Sequence, residues 1–376
     1  MKIALVTDSY KPRIGGIESV VSDIAKTLSN NHKVYIVTSA KARGGGYILE
    51  YDGGYRVLRV KSRMLNFNGV TLNPPSLLVL YKVLRNIDPD VIHGHGLYST
   101  LSIAGAIIGW KRLGKPSILT AHSFIGKDTP RYLVEGLRLA SRNVSLVTAV
   151  SKAVAIDISR RLKIRRVYVT YNCLRVDDWV RRGDKFIELD GEPIILSALR
   201  LTYRKNPLAL VRVADYLKQY VPKARLYIAG DGPLRKPLES RIKARGLNNT
   251  VFLGPVSRET LKKILWSTDI FVLPSKMEAF GISALEAMAS GVPVVAMRSG
   301  GVSEVVVDNV TGLLALDEDD LARKTVELSL NLELAKSIGR RALERAYYFD
   351  CNRIAYYHLE AYRIAGELCS SKVSRI

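Results

Sequence analysis

Glu278-Ala279-Phe280-Gly281-Ile282-Ser283-Ala284-Leu285-Glu286-Ala287-Met288-Ala289-Ser290-Gly291 decides the fold. An apolar run, Asp269-Ile270-Phe271-Val272-Leu273-Pro274, stands before it, and Val292 to Ala296 follows it. The order is buried strand, loop, helix, strand. Gly281 opens the turn, and Gly291 closes the helix as a left-handed residue. The helix start points free backbone N–H groups toward the carboxyl end of a sheet, a ready site for a diphosphate. Glu278 sits in the loop and Glu286 on the helix, so two carboxylates can accept hydrogen bonds from different hydroxyls of one ligand. The bland alternative is an ordinary βαβ unit with two solvated glutamates.

The same alternation continues on both sides. Pro193-Ile194-Ile195-Leu196-Ser197-Ala198 reads as a strand, and Arg200-Leu201-Thr202-Tyr203-Arg204-Lys205-Asn206-Pro207 follows. An Arg and a Lys just past a strand end can neutralise a diphosphate leaving group, although such residues are usually just exposed. Arg225 to Gly230 runs into Asp231-Gly232-Pro233, a strand with a glycine turn that lacks the third glycine of a dinucleotide fingerprint. Phe252 to Val256 and Ser299-Gly300-Gly301 are further strand-end turns.

In the first half, Ile3 to Val6 is a short strand, and a loop ending in Gly15-Gly16 precedes apolar residues at helical spacing from Ile17. Glycines there allow a phosphate or sugar close to the backbone, but most Gly-Gly pairs are only turns. Asp90-Val91-Ile92-His93-Gly94-His95-Gly96 and Ser117 to Phe124, which contains His122, also read as strand ends. Three of the chain's five histidines stand at these ends, where α/β active sites form. Each alone is equally a structural polar residue. His93-x-His95 is not read as a metal site, because no acid or cysteine lies at ligand spacing. Arg56, Arg59, Lys61 and Arg63 precede Met64, Leu65 and Phe67. That stretch reads either as a strand with one solvated face and a loose loop, or as a basic–apolar edge for a membrane surface.

A chain of 376 residues suggests two domains. Its 47% hydrophobic and 24% charged content is that of a globular protein. The net charge of +22 points to an anionic partner. Between Arg131 and Arg182 twelve Lys or Arg stand against four acids, so much of the excess lies in the first domain. Cys173, Cys351 and Cys369, odd in number and far apart, suggest a reduced compartment and neither a disulfide frame nor a zinc site. The N-terminus turns polar too soon for a signal peptide, and the run Leu97 to Trp110 is too short to span a bilayer.

The string from Glu278 to Glu286 resembles the glutamate–seven residues–glutamate motif of retaining glycosyltransferases of family 4, and the likeness covers nearly the whole chain. The resemblance implies the GT-B fold: two facing, doubly wound Rossmann-like α/β domains with the active site in the cleft between them. Residues 1–178 would hold the acceptor and 179–351 the nucleotide sugar, with 352–376 packing back on the first domain or serving simply as a C-terminal packing helix. By that resemblance Glu278 contacts the donor sugar and Glu286 the ribose. Arg200, Lys205 and the backbone of Phe280, Gly281 and Ile282 hold the diphosphate. Gly15 and Gly16 face donor and acceptor, Gly230 helps form the nucleotide cleft, and Val256 lies beside the base. His122 lies beside the donor sugar. Asn206 departs from the glycine usual there. Ala121-His122-Ser123-Phe124-Ile125-Gly126 is similar to the subgroup making N-acetylglucosaminyl-phosphatidylinositol, although Ala121 replaces its aspartate.

The resulting expectation is sugar transfer, with retention, from a nucleotide diphosphate sugar, UDP-linked, to a lipid or phosphate-bearing acceptor at the cytoplasmic face of a membrane. The enzyme would be cytoplasmic and peripheral, bound to an anionic surface through Arg56, Arg59, Lys61 and Arg63. No cofactor is expected, since the nucleotide sugar is a substrate. No metal is expected either, because Asp88-Pro89-Asp90 precedes its strand and Asp317 to Asp320 follows the sheet. Rival readings are a soluble sugar or sugar-phosphate acceptor, a nucleotide-sugar epimerase of the same fold, a nicotinamide oxidoreductase, and a basic nucleic-acid-binding protein. No fingerprint supports the oxidoreductase, and no recognised motif supports nucleic acid as a partner.

Overall fold

The structure, a computed structural model, describes residues 1–8, 10–13, 15–41, 46–62, 65–67, 70–72, 74–181 and 187–373. Strands that are apolar without interruption belong to sheets covered by helices on both faces. Ile3 to Val6, Ile270 to Leu273 and Val294 to Ala296 fit that rule, each being almost wholly buried. The chain divides into two compact units, one of Met1–Cys173 with Cys351–Ile376, the other of Leu174–Asp350.

The first unit begins with β1 (Lys2–Val6), α1 (Gly16–Leu28), β2 (Lys33–Lys41), β3 (Tyr47–Asp52) and β4 (Tyr55–Ser62). A small pair follows, β5 (Leu65–Phe67) and β6 (Val70–Leu72). Then come α2 (Pro74–Ile87), β7 (Val91–His95), α3 (Thr100–Arg112), β8 (Ser117–Ala121), α4 (Arg131–Arg142), β9 (Leu146–Ala149), α5 (Lys152–Leu162) and β10 (Tyr168–Val169). Its sheet has the order β10-β9-β8-β7-β1-β2-β4-β3. Every neighbouring pair in it is parallel except β3 with β4. β3 is therefore an antiparallel edge on an otherwise parallel sheet.

The second unit runs β11 (Ile194–Ala198), α6 (Ala209–Tyr220), β12 (Arg225–Ala229), α7 (Arg235–Ala244), β13 (Thr250–Gly254), α8 (Arg258–Leu265) and β14 (Ile270–Leu273). It continues with α9 (Ile282–Ala289), β15 (Val294–Met297), α10 (Val302–Val305), β16 (Gly312–Ala315), α11 (Glu318–Leu330) and α12 (Leu332–Ala346). Its sheet is wholly parallel, in the order β13-β12-β11-β14-β15-β16. One core joins β11, β12 and β14 to α6, α7 and α11 through Ile195, Ile228, Val272, Leu210, Leu238 and Leu321. Helix starts are fixed locally. The side chains of Ser99, Ser151, Ser257, Asp317 and Asn331 each accept from the N–H three residues on, an N-cap that satisfies an otherwise orphaned donor.

The last helix, α13 (Cys351–Val373), belongs to the first unit and packs on α1, β8 and β9. Its first residue corrects the cysteine expectation. Cys351 is disulfide-bonded to Cys173, with Cα atoms 4.9 Å apart, across 178 residues of sequence. The chain leaves the first unit at one cysteine and re-enters it at the other. Distance along the sequence concealed adjacency in space, so the reduced-compartment argument falls. Cys369 is free and buried.

Candidate functional site

In an open parallel sheet, ligands bind beyond the strand ends where the strand order reverses. In the second unit that point lies between β11 and β14. The loop after β11 carries Arg200 and Lys205, and the loop after β14 carries Glu278, Phe280 and Gly281. Lys205 Nζ donates to Glu278 Oε2 at 2.5 Å. Glu278 is almost buried, and Lys205 is partly so. Arg200 is exposed and has no carboxylate partner among the described residues. Asn206 sits at φ 49°, the left-handed region that Gly and Asn tolerate best. Its side chain donates to Glu318, which also pairs with Lys276 at 2.8 Å. The departure from glycine is thus compatible with the turn.

Gly281, at φ 98°, is the N-cap of α9, so Ile282 is its first residue. The Phe280 ring is buried edge-on against Phe349, so the ring itself is not offered to a ligand. Gly301 N–H donates to Glu278 O at 2.8 Å. A Cβ at Gly301 would collide with the Ala279 carbonyl, so the turn after β15 braces the Glu278 loop. Gly230, at φ 129°, packs against the Leu199 carbonyl in the same way. It holds the strand end from which Arg200 projects. Glu286 is buried on α9, with Arg258 Nε 3.8 Å from its Oε1. The Arg258 guanidinium lies over the Trp179 ring. Arg258 escaped the sequence reading, since its one local signal is the Ser257 cap before it. Val256 is partly buried between β13 and that cap.

In the first unit the strand order reverses between β1 and β7. Gly15 caps α1 there, and a side chain on Gly16 would meet open space. His95 ends β7 and His122 follows β8. His95 Nδ1 lies 3.0 Å from His122 Nε2. His93 contacts Tyr362 OH through Nδ1 at 3.1 Å and Thr120 Oγ1 through Nε2 at 2.6 Å. Its ring stacks on His95 at 4.0 Å between centroids, and His358 of α13 lies 5.6 Å from it. Four of the five histidines thus form one cluster. Burial, reinforced by the neighbouring imidazole of His358, holds His122 down to about 3. Burial alone holds His358 at about 4. His93 and His95 are lowered well below the ordinary imidazole value, by burial first and by the other histidines second. All four are neutral near pH 7. The sequence showed the strand-end histidines but not the contribution of α13.

Within the basic stretch, Arg56, Arg59 and Lys61 lie on β4, where Arg56 falls on one face of the strand and Arg59 and Lys61 on the other. Arg59 donates through Nε to both carboxylate oxygens of Glu50, at 2.8 and 2.9 Å. Arg56 lies over the rings of Tyr35 and Tyr51. Arg63 and Met64 fall outside the described residues. A separate groove of about 1190 Å³, lined by Leu146, Val147, Ile164 and Leu368 among others, is rimmed by Arg160, Arg165 and Arg166. It opens at the amino ends of β9 and β10, away from the strand ends that bear the candidate chemistry. Among the described residues no helix is long and apolar enough to cross a membrane.

Known proteins share this architecture. Residues 183–345 match the family model for glycosyl transferases group 1, and residues 14–178 that for glycosyltransferase family 4. The gpi3 subunit of phosphatidylinositol N-acetylglucosaminyltransferase from Schizosaccharomyces pombe is 30% identical, over 85% of this chain and 70% of that protein. Sucrose-phosphate synthase from Thermosynechococcus elongatus superposes with a TM-score of 0.79 at 20% identity, over 96% of this chain and 98% of its own. Anabaena HepE, in complex with UDP and glucose, does so with 0.77 at 21% identity and the same coverage. Two doubly wound units with this likeness define a GT-B glycosyltransferase that draws on a nucleotide-sugar donor. The chain belongs to glycosyltransferase family 4.

Proposed function

We propose that this enzyme transfers a sugar from a UDP-linked donor, with retention of configuration, to a lipid or other phosphate-bearing acceptor at a membrane face. The observation that carries the donor half is the Lys205–Glu278 pair at the strand-order reversal, beside the start of α9. Negative charge builds on the diphosphate as the glycosidic bond breaks. In this reading Lys205, Arg200 and the backbone at Phe280, Gly281 and Ile282 stabilise it. Glu278 accepts from hydroxyls of the sugar, Glu286 from the ribose, and His122 donates to the sugar. Gly15, Gly16 and Val256 border the ligand. UDP is supported by the HepE complex.

The direct test is incorporation of labelled sugar from UDP-sugars into phospholipid extracts, with the anomer of the product read by NMR. Net inversion would overturn retention, and incorporation only from another nucleotide sugar would overturn UDP. Glu286→Ala is expected to weaken UDP binding about ten- to a hundredfold in calorimetric titration, the worth of a charge-assisted hydrogen bond. Unchanged affinity would remove Glu286 from the ribose site. Asp88-Pro89-Asp90 precedes β7 and Asp317 is spent as the N-cap of α11, so transfer is expected to survive excess EDTA. Loss of activity restored by magnesium or manganese would reveal a metal requirement.

The lipid acceptor is supported by the gpi3 relative, by the net charge of +22, and by the exposed Arg160, Arg165 and Arg166. These arginines have no carboxylate partner among the described residues. Each cation at an anionic surface contributes about 1 kcal/mol. Wild type is expected to co-sediment with phosphatidylserine vesicles at low salt and to be released at high salt. Glutamates in place of Arg56, Arg59, Lys61 and Arg63, or of Arg160, Arg165 and Arg166, should each weaken this, and the comparison locates the contact. Wild type that ignores such vesicles would favour the second reading, a soluble sugar or sugar-phosphate acceptor, which the likeness to sucrose-phosphate synthase supports.

A further inference from the structure

Nothing in the roles above uses His95, although its ring nitrogen is 3.0 Å from that of His122. Both rings are neutral, so each has one N–H donor and one bare acceptor nitrogen. A single proton lies between His95 Nδ1 and His122 Nε2, and it belongs to one ring or the other. If it belongs to His122, the proton of His95 must sit on Nε2. That atom is buried and has no hydrogen-bond partner among the described residues. A buried N–H without an acceptor is the rarer and costlier defect, and a bare lone pair is better tolerated. The lower-energy arrangement puts the shared proton on His95.

We propose that His95 is the positioning residue of His122: its Nδ1–H donates to His122 Nε2, which fixes the proton of His122 on Nδ1 and makes that atom the donor toward the sugar. The second half rests on the reading that His122 meets the donor sugar.

His95 is well placed for this because it cannot turn. Its ring is stacked on His93, and His93 is engaged at both nitrogens, by Tyr362 of α13 and by Thr120. Thr120 is in turn bonded to Thr148 on the next strand. The His95 carbonyl accepts from Ser102 Oγ at 2.8 Å, which fixes the strand end itself. His122 is the partly accessible member of the cluster, so the proton arrangement is set inside the unit and read at its surface. Which nitrogen of a histidine carries the proton is decided by what the other one meets.

Ring ¹⁵N NMR of histidine-labelled wild type tests this without turnover, with His122→Gln assigning the signal. A protonated Nδ1 and a bare Nε2 on His122 are expected, and the reverse pattern overturns the proposal. Kinetics supply a second readout. His95→Phe should lower kcat about tenfold, the worth of one hydrogen bond in the site, with the donor KM little changed. His95→Asn, which restores an N–H near the Nδ1 position, should recover part of that loss. Equal loss in the two variants, or no loss in either, overturns it. If the wild type shows the expected tautomer but transfers no sugar from any donor, the assigned activity fails while the His95–His122 pairing stands.

Discussion

Replacing Lys205 with Ala is expected to lower kcat for sugar transfer by about 100- to 1000-fold, the range seen when one preorganised donor to a developing anion is removed. Two effects combine. The ammonium that would meet the diphosphate is lost, and Glu278, almost buried and held at 2.5 Å by that ammonium, is left without its counter-charge. An uncompensated carboxylate at such a site moves toward water or takes up a proton, and either change spoils its contact with sugar hydroxyls. Lys205→Arg tests geometry against charge. A planar guanidinium keeps the charge but not the compact three-donor head, so only partial rescue is expected. Steady-state kinetics, with a melting curve to confirm folding, measure both variants. An unchanged kcat in Lys205→Ala would remove this residue from the leaving-group site.

Acidification is expected to unfold the first unit well before its carboxylates are neutralised. His93, His95, His122 and His358 are all held below their ordinary values by burial. In the unfolded chain each takes up a proton near pH 6.5, whereas in the fold none does until far lower pH. The stability they permit is complete above about pH 6.5 and declines as pH falls toward 4 and 3, where His358 and His122 titrate in the fold. Each such group loses up to about 1.4 kcal/mol per pH unit. From pH 7 to 5, His358 and His122 together account for roughly 4 kcal/mol, and His93 and His95 add in the same direction. Tyr362, the other titratable group in the cluster, stays neutral throughout, since burial raises its pKa. That loss is comparable to the whole stability of many domains. Urea midpoints between pH 8 and 4.5 measure it. His358→Phe removes one titrating group and should flatten the slope relative to wild type, which separates the cluster from the general repulsion of a chain of charge +22. A flat profile from pH 7 to 5 would show that the cluster is hydrated and titrates normally.

The strand–loop–helix around Glu278 was legible because its signals are local: an apolar run, a glycine at each end of a short helix, acids at fixed spacing. The same holds for β11 and the Arg200–Lys205 loop. Contacts between distant segments left no such trace. Arg258 reaches Glu286 from another strand–helix connection. His358 and Tyr362 reach His93 from the far end of the sequence. Cys173 and Cys351 meet because the fold leaves and re-enters one unit, a fact that spacing contradicts. Along β4 strand alternation sets Arg56 on the face opposite Arg59 and Lys61, and Glu50, on the partner strand, pairs with Arg59, neither of which spacing along the sequence announces.

The Cys173–Cys351 bond has a mechanical consequence. Both ends of the chain belong to the first unit, and the disulfide bridges the two crossings to the second. A stretching force applied between the termini therefore runs through the first unit and the sulfur bridge. The second unit hangs outside the load path as a closed loop of slack. Pulled in an oxidising buffer, it should contribute no extension. A reductant added under tension should put its 178-residue span on the line, releasing roughly 600 Å of contour once that unit gives way.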